Sequence, residues 1–287
     1  SGPDRLALQS ADGYPSVRDP WEPTRGASMR WEELTSAEIG ALDRDRTVVI
    51  LPLGSVEQHG NHMPLGTDTM LAEAVSHAAA EASGGTVVMP PPWYGFSAHH
   101  MRFPGSITLR AETLLALAED VVASLVRHNF RRILIVNGHG GNNGLIDVMA
   151  STLGNTHYGK ARIAALTYFA LAREAIAKLR KSKPGGMGHA CEFETSMVQH
   201  LRPELVKIER AETCYPDPGS RYLTTDLLGA QAIRLYHDFG DLSPTGTLGD
   251  PAFASPEAGK AFFAAVAGEL AAFIADFRGW TIPEPSQ

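Results

Sequence analysis

The sequence predicts an α/β fold, a three-layer α/β/α sandwich built on a mostly parallel sheet. Three observations predict it. Uninterrupted apolar runs of strand length recur along the chain, as expected of strands buried on both faces. Segments with helical apolar stripes separate them. Two polar loops, one carrying a Glu, two His and an Asp and the other a His among glycines and asparagines, follow directly on two of the runs, where open α/β sheets place their ligands.

Taken in order, Thr35 is a candidate N-cap for a short helix over residues 36–42. The first strand is the run Thr47-Val48-Val49-Ile50-Leu51-Pro52-Leu53, and similar runs follow at 86–89, 133–136 and 163–166. Between them lie an Ala-rich helical segment over 69–82 and a helix over 111–128. The latter places Leu114, Leu117, Val121, Leu125 and His128 at three- and four-residue steps. Helices over 145–153 and 169–179 come next, and a last one over 256–277 aligns Phe262, Val266, Leu270 and Phe273. Strand alternating with helix implies a sheet covered on both faces. No linker, repeat or low-complexity tract divides residues 30–287, so they read as one domain. Residues 1–29, rich in Pro, Asp, Arg and Ser, read as an extended N-terminal arm.

The chain has 287 residues, 44% hydrophobic and 20% charged, enough apolar material for a sizeable core. A net charge of -7 and scattered basic residues argue against nucleic acid as a partner. The two cysteines, Cys191 and Cys214, form no disulfide framework, which points to a reducing compartment. No uninterrupted apolar run approaches the roughly 20 residues of a membrane span, and no basic-then-apolar leader opens the chain. A cytoplasmic protein without a membrane partner is the expectation.

The first polar loop runs Gly54-Ser55-Val56-Glu57-Gln58-His59-Gly60-Asn61-His62-Met63-Pro64-Leu65-Gly66-Thr67-Asp68, and the second is Asn137-Gly138-His139-Gly140-Gly141-Asn142-Asn143. Imidazole and carboxylate together suit Zn²⁺, Fe²⁺ or Mn²⁺, and a site with carboxylates and no thiolate is of the catalytic kind. A carboxylate can also bridge two ions. Asp68 opens the following helix, a favourable place for an anionic ligand.

The Glu-Gln-His-Gly run at Glu57, Thr67-Asp68 and the later Asn-Gly-His-Gly-Gly-Asn resemble the creatininase (creatinine amidohydrolase) family. So do Tyr94-Gly95-Phe96-Ser97 with His100, Phe103-Pro104-Gly105-Ser106, His189-Ala190-Cys191-Glu192-Phe193-Glu194-Thr195-Ser196, and Gly249-Asp250-Pro251. The resemblance covers about residues 30–278. It implies a creatininase-like hydrolase domain, a homo-oligomer (a hexamer) and a binuclear centre in which Glu57 and His139 hold one metal, His59 the other, and Asp68 bridges them. Zinc is the expected metal, with manganese or iron as alternatives.

One position departs from the family. Creatininase proper has a ligand Glu where this chain has Gly141, so this is a member distinct from creatininase proper. Glu194, rather than Glu192, is expected to fill the vacancy; water in its place, or a single tightly bound metal, are the other readings. The implied reaction is attack of a metal-activated water on a carbonyl, cleaving an amide or cyclic amide C–N bond of a small molecule. Glu192 is the expected proton carrier and His189 a substrate donor or outer partner. Ser97, His100, Gly140 and Gly141 are expected at the substrate. His62 is assigned only to shaping its loop, and His99 has no assigned role. A peptidase that trims a peptide-derived precursor, a hydrolase opening a keto-inositol ring at a C–C bond, and a metal-binding scaffold without activity are the alternatives.

Overall fold

In a computed structural model of the chain, residues 29–229 and 233–284 are described. Five parallel strands form the main sheet, in the order β1-β3-β2-β4-β5. They are β1 (Met29–Arg30), β2 (Val48–Leu53), β3 (Thr86–Val88), β4 (Arg132–Asn137) and β5 (Arg162–Thr167). The arm expected over residues 1–29 lies outside the described residues, except that Met29 already belongs to β1.

The apolar run at 48–53 is a strand because both its faces find partners. Val48 and Ile50 point to one core with α2 (Thr67–Ser83), α7 (Glu192–Leu201) and α9 (Pro256–Gly279). Val49, Leu51 and Leu53 point to a second core with α3 (Ala111–Arg127) and α4 (Asn143–Thr156). The period of two along β2 thus divides the molecule into three layers. Before the sheet, α1 (Ser36–Ala41) carries the expected cap: Thr35 accepts from the Glu38 backbone, and Glu38 in turn accepts from the backbone of Thr35.

Strand order sets the place of the site. The chain passes from β2 to β3 through α2 on one face, then through α3 on the other face to β4, on the opposite flank of β2. The direction of winding reverses at β2, and a crevice opens beyond the carboxyl ends of β2 and β4. Register puts Leu53 opposite Asn137, and the Gly138 amide donates to Leu53 O at 2.8 Å. The two loaded loops therefore leave the sheet side by side.

Three features differ from the sequence reading. The helix expected over 169–179 is two, α5 (Tyr168–Leu171) and α6 (Arg173–Leu179), broken at Ala172. A short antiparallel pair, β6 (Met187–His189) and β7 (Leu248–Gly249), carries His189; both are too short for a periodicity signal. By length and composition α9 is apolar enough to cross a membrane, with a mean hydropathy of 1.5 over its best window. Its stripe Phe262, Val266, Leu270, Ile274 and Phe277 is fully buried against the protein core, however.

Candidate metal centre

The loop after β2 delivers Glu57 and His59, the first turn of α2 delivers Asp68, and the loop after β4 delivers His139. All four are almost wholly buried. The structure groups them into three sets whose ligand atoms lie within 4.8 Å of one another: Glu57 with His99 and His139, Glu57 with His59 and His189, and His59 with Asp68 and Glu194. Of the expected ligands, Glu57, His59, Asp68, His139 and Glu194 are thus brought together, and His99 and His189 join them.

Hydrogen bonding around the two central imidazoles fixes which nitrogen faces the cluster. His59 Nδ1 lies 3.1 Å from Glu57 O, and a carbonyl can only accept, so Nδ1 carries the hydrogen. Its Nε2 is left facing Asp68 Oδ1 at 3.0 Å. His139 repeats the pattern with the nitrogens exchanged. Its Nε2 donates to Phe96 O at 3.0 Å, and its Nδ1 faces Asp68 Oδ2 at 2.9 Å. That oxygen is buried without a hydrogen-bond partner. Two nitrogen lone pairs pointed at one buried carboxylate repel unless a proton or a cation lies between them. The donor set, its outer hydrogen bonds and the orphaned Asp68 oxygen therefore fit divalent metal ions.

The acid–base pattern agrees. Burial alone would lower His59, but the charge and hydrogen bond of Asp68, with Glu194 and Glu57, raise it to about 9. His139 is raised well above its usual value: burial opposes this, and Glu57 and Asp68 outweigh it. Burial would raise Glu57, yet His139 and His100, working against Asp68, hold it at about 2. Without metal, these imidazoles bind protons where cations would sit.

The remaining residues divide into those that support the cluster and those that stand apart. Ser97 and His100, expected to contact substrate, instead hold Glu57. The Ser97 hydroxyl donates to Oε2 at 2.6 Å. His100 accepts from the Gln58 amide at Nδ1 (2.8 Å), so its Nε2 is the donor to Glu57 Oε1 at 3.1 Å. Both side chains are fully buried. His189 donates from Nε2 to Gln58 O at 2.6 Å, leaving Nδ1 as an acceptor 3.7 Å from Glu57 Oε1. Burial and His59 depress His189 well below its usual value, so it is neutral.

Glu192 does not reach the cluster. Its carboxylate accepts from the backbone amides of Lys181 and Ser182 at 2.9 and 2.8 Å, a structural tie in place of the expected proton transfer. Successive helix residues turn by about 100°, so side chains two apart point to nearly opposite sides. Only one of Glu192 and Glu194 can face the cluster. Glu194 does; burial raises its carboxyl to about 7 despite the pull of His59. It also accepts from the Ala190 amide at 2.6 Å, and Ala190 takes a φ of 51°, a strained value for a residue with a side chain. Cys191 is buried and its thiol is pushed up, first by burial, which suits packing and not nucleophilic attack. His62 donates to or accepts from Thr195 Oγ1 at 2.9 Å, outside the cluster.

The two glycines differ. A Cβ on Gly140 would meet nothing within 4 Å. A Cβ on Gly141 would fall 2.4 Å from His139 Nε2, 2.5 Å from Phe96 O and 2.6 Å from His99 Cε1. His99 joins the cluster and Gln58 contacts its supports, and neither is singled out by the sequence. His99 was legible only as the neighbour of His100. Gln58 sits inside the Glu-Gln-His run, but its contacts to His100 and to the Gly60 amide need the folded loop.

Comparison with known proteins decides the family. The family model described as creatininase, creatinine amidohydrolase, matches residues 32–274. The chain belongs to the creatininase family. The mycofactocin precursor peptide peptidase of Mycobacterium tuberculosis (strain CDC 1551 / Oshkosh) is 32% identical over 262 residues, 88% of this chain and 93% of the relative. The creatinine amidohydrolase of Pseudomonas putida is 31% identical over 195 residues, 63% and 73% of the two chains. The 3-dehydro-scyllo-inosose hydrolase of Thermotoga maritima is 28% identical over 198 residues, 67% and 62%. A solved creatininase in a manganese form has a TM-score of 0.73 at 28% identity, covering 87% of this chain and 98% of its own. Another, of the Zn-Zn type, has a TM-score of 0.72 at 28% identity over the same shares. This creatininase-family hydrolase therefore shares its three-layer fold with enzymes solved with manganese or zinc.

Proposed function

We propose that this creatininase-family hydrolase is a metal-dependent amidohydrolase that cleaves the C–N bond of a linear, peptide-like amide. The observation that carries the reading is the packing at Gly141. His139, Phe96 and His99 fill the space in which any side chain at that position would have to start. The carboxylate by which the sequence differs from creatininase proper is therefore absent by construction of the site, and His99 stands beside His139 in its stead. The longer match to the precursor peptide peptidase than to the creatinine amidohydrolase supports a linear substrate.

Glu57, His139 and His99 would hold one divalent ion, and His59, Asp68 and Glu194 the other, with Asp68 placed between the two imidazoles. Bound ions of this kind ionise water near neutral pH and polarise a carbonyl. The protein's own groups do the rest. Ser97 and His100 fix both oxygens of Glu57. The backbone carbonyls of Glu57 and Phe96 fix the tautomers of His59 and His139. His189, neutral and with Nδ1 bare, would accept a proton and pass it to the departing amine.

The test is an assay of the purified protein against creatinine and a set of short peptides, with new amine and carboxylate termini read by mass spectrometry. Peptide cleavage lost on chelation and restored by Zn²⁺ or Mn²⁺ is expected. Preferential hydrolysis of creatinine, or activity indifferent to chelation, would overturn the reading.

A further inference from the structure

The metal cluster lies at the carboxyl ends of β2 and β4, and the amino ends of the same strands carry a second charged feature. A cleft of about 620 Å³ is lined by Arg46, Arg131, Arg132 and Arg278, with Asp45 and Glu284. Arg46 stands just before β2, Arg131 and Arg132 lead into β4, and Arg278 lies in the last turn of α9. Six-residue strands span roughly 17–20 Å, so the cleft and the metal cluster occupy opposite ends of the sheet.

Four guanidiniums face two carboxylates here, in a chain whose net charge is -7. Among the described residues, only Arg131 of the four has a carboxylate in ion-pair range, Asp45 at 3.1 Å. Arg132 donates to the carbonyls of Trp280 (3.1 Å) and Asp45. Arg278 donates to the carbonyls of Ser83 (3.2 Å) and Gly84 and to Thr86 Oγ1 (3.1 Å). These contacts cap the carboxyl ends of α9 and α2 and explain why those two arginines are there. Their hydrogen-bond acceptors are neutral, and the Nε of each is buried without an acceptor. Capping also does not explain Arg46 or Arg131. Burial pushes Arg132 and Arg278 below the usual guanidinium value; at Arg132 the carboxylates of Asp45 and Asp43 offset part of this, while Arg131 and Arg46 add to it, and Arg46 also presses on Arg278. Like charges held this close are costly unless a counter-charge shares the space.

We propose that this cleft binds a multiply charged oxyanion, the phosphoryl group of a soluble compound or phosphate itself. Guanidinium forks match tetrahedral oxyanions at several N–H groups at once. The volume falls within the range of small-molecule sites, which leaves room for the body that carries the phosphoryl group. The ligand binds away from the ions and does not depend on them.

Calorimetric titration with inorganic phosphate, in chloride at constant ionic strength, tests this. Phosphate also binds divalent ions, so the titration is run on chelator-stripped protein and on His139→Ala protein. One saturable event per chain is expected in both. Arg46→Gln with Arg131→Gln, which spares both helix-capping arginines, weakens it by at least roughly tenfold with unchanged thermal melting. Lys181→Gln with Lys183→Gln removes the same charge elsewhere and leaves it unchanged. Absence of saturable binding in the metal-free proteins, an unchanged dissociation constant in the arginine pair, or equal weakening in the lysine pair would each overturn the proposal. Larger phosphoesters titrated in parallel separate bare phosphate from a phosphoryl compound: a tighter constant for the esters is the expected result.

Discussion

Nδ1 of His139 stands 2.9 Å from Oδ2 of Asp68. Nε2 of His59 faces the other oxygen of the same carboxylate at 3.0 Å. One side chain thus serves both halves of the cluster. Asp68→Ala is expected to lose both metals, as read by elemental analysis of the purified protein. Losing an outer partner alone costs about 10–100-fold in metal affinity or activity, so the activity should fall by at least on the order of 100-fold. Loss of a single metal would show that Asp68 belongs to one ion and does not bridge.

Glu194 and Glu192 should separate cleanly. Glu194→Gln is expected to lower the content of one metal, because its oxygens belong to the set with His59 and Asp68. Glu192→Gln should keep both metals and instead lower thermal stability. Its two oxygens accept from two backbone amides, and an amide nitrogen in place of one oxygen would face an N–H donor. A buried donor left unsatisfied costs about 1–3 kcal/mol. The reverse outcome, metal loss in Glu192→Gln, would return that residue to the centre.

Ser97 and His100 were expected at the substrate, and their contacts place them behind Glu57. The two roles predict different kinetics. Ser97→Ala should weaken metal binding roughly 10–100-fold and leave KM unchanged once metal is saturating. A raised KM at saturating metal would mean that Ser97 contacts the substrate after all.

What the sequence disclosed and what it hid follow from how local each signal is. The strand at 48–53 and the stripe on α9 are written in periodicity, and they set the layers. Glu57, His59, Asp68 and His139 stand in two loops that each follow a strand, so their convergence is a consequence of strand order. Glu194 was legible as one of a helical pair, and only the turn of the helix chose between the two. Gln58, His99 and the support from Ser97 depend on contacts across 40 or more residues, such as that from Ser97 to Glu57, which no local pattern encodes. β1, β6 and β7, two or three residues long, are strands only because a neighbour pairs with them.

Metal removal should make stability depend on alkaline pH. His59 is raised to about 9 in the folded chain, and His139 is likewise raised well above its ordinary value near 6.5. A group raised on folding contributes its full stability below the unfolded value and loses it as pH rises through the folded one. His62, depressed to about 4, and the depressed His100 and His189 are neutral in both states above pH 7 and contribute no slope there. Chelated protein should therefore melt at progressively lower temperature from pH 7 to pH 9. Metal-loaded protein should not, because the cation replaces the proton. Differential scanning calorimetry at several pH values reads both curves, and parallel curves would show that protons and metals do not compete for these imidazoles.

Gly141 gives the sharpest steric prediction. Its Cβ would lie 2.4 Å from His139 Nε2, an atom already committed to Phe96 O at 3.0 Å, and 2.5 Å from that same oxygen. The imidazole cannot retreat without giving up the hydrogen bond that sets its tautomer. Gly141→Ala should therefore cost about 1–3 kcal/mol, the range for overpacking, and loosen the metal held by His139. Gly140→Ala, with nothing within 4 Å of its Cβ, should be nearly neutral in stability. Gly141→Glu tests the substrate reading as well. If the missing carboxylate were all that separated this chain from creatininase proper, restoring it should bring creatinine hydrolysis. Because His99 and Phe96 occupy the space, the expected result is loss of metal and no gain of that activity. A stable, metal-replete Gly141→Glu protein that hydrolyses creatinine would show that His99 can yield its place, and the assignment of a linear substrate would go with it.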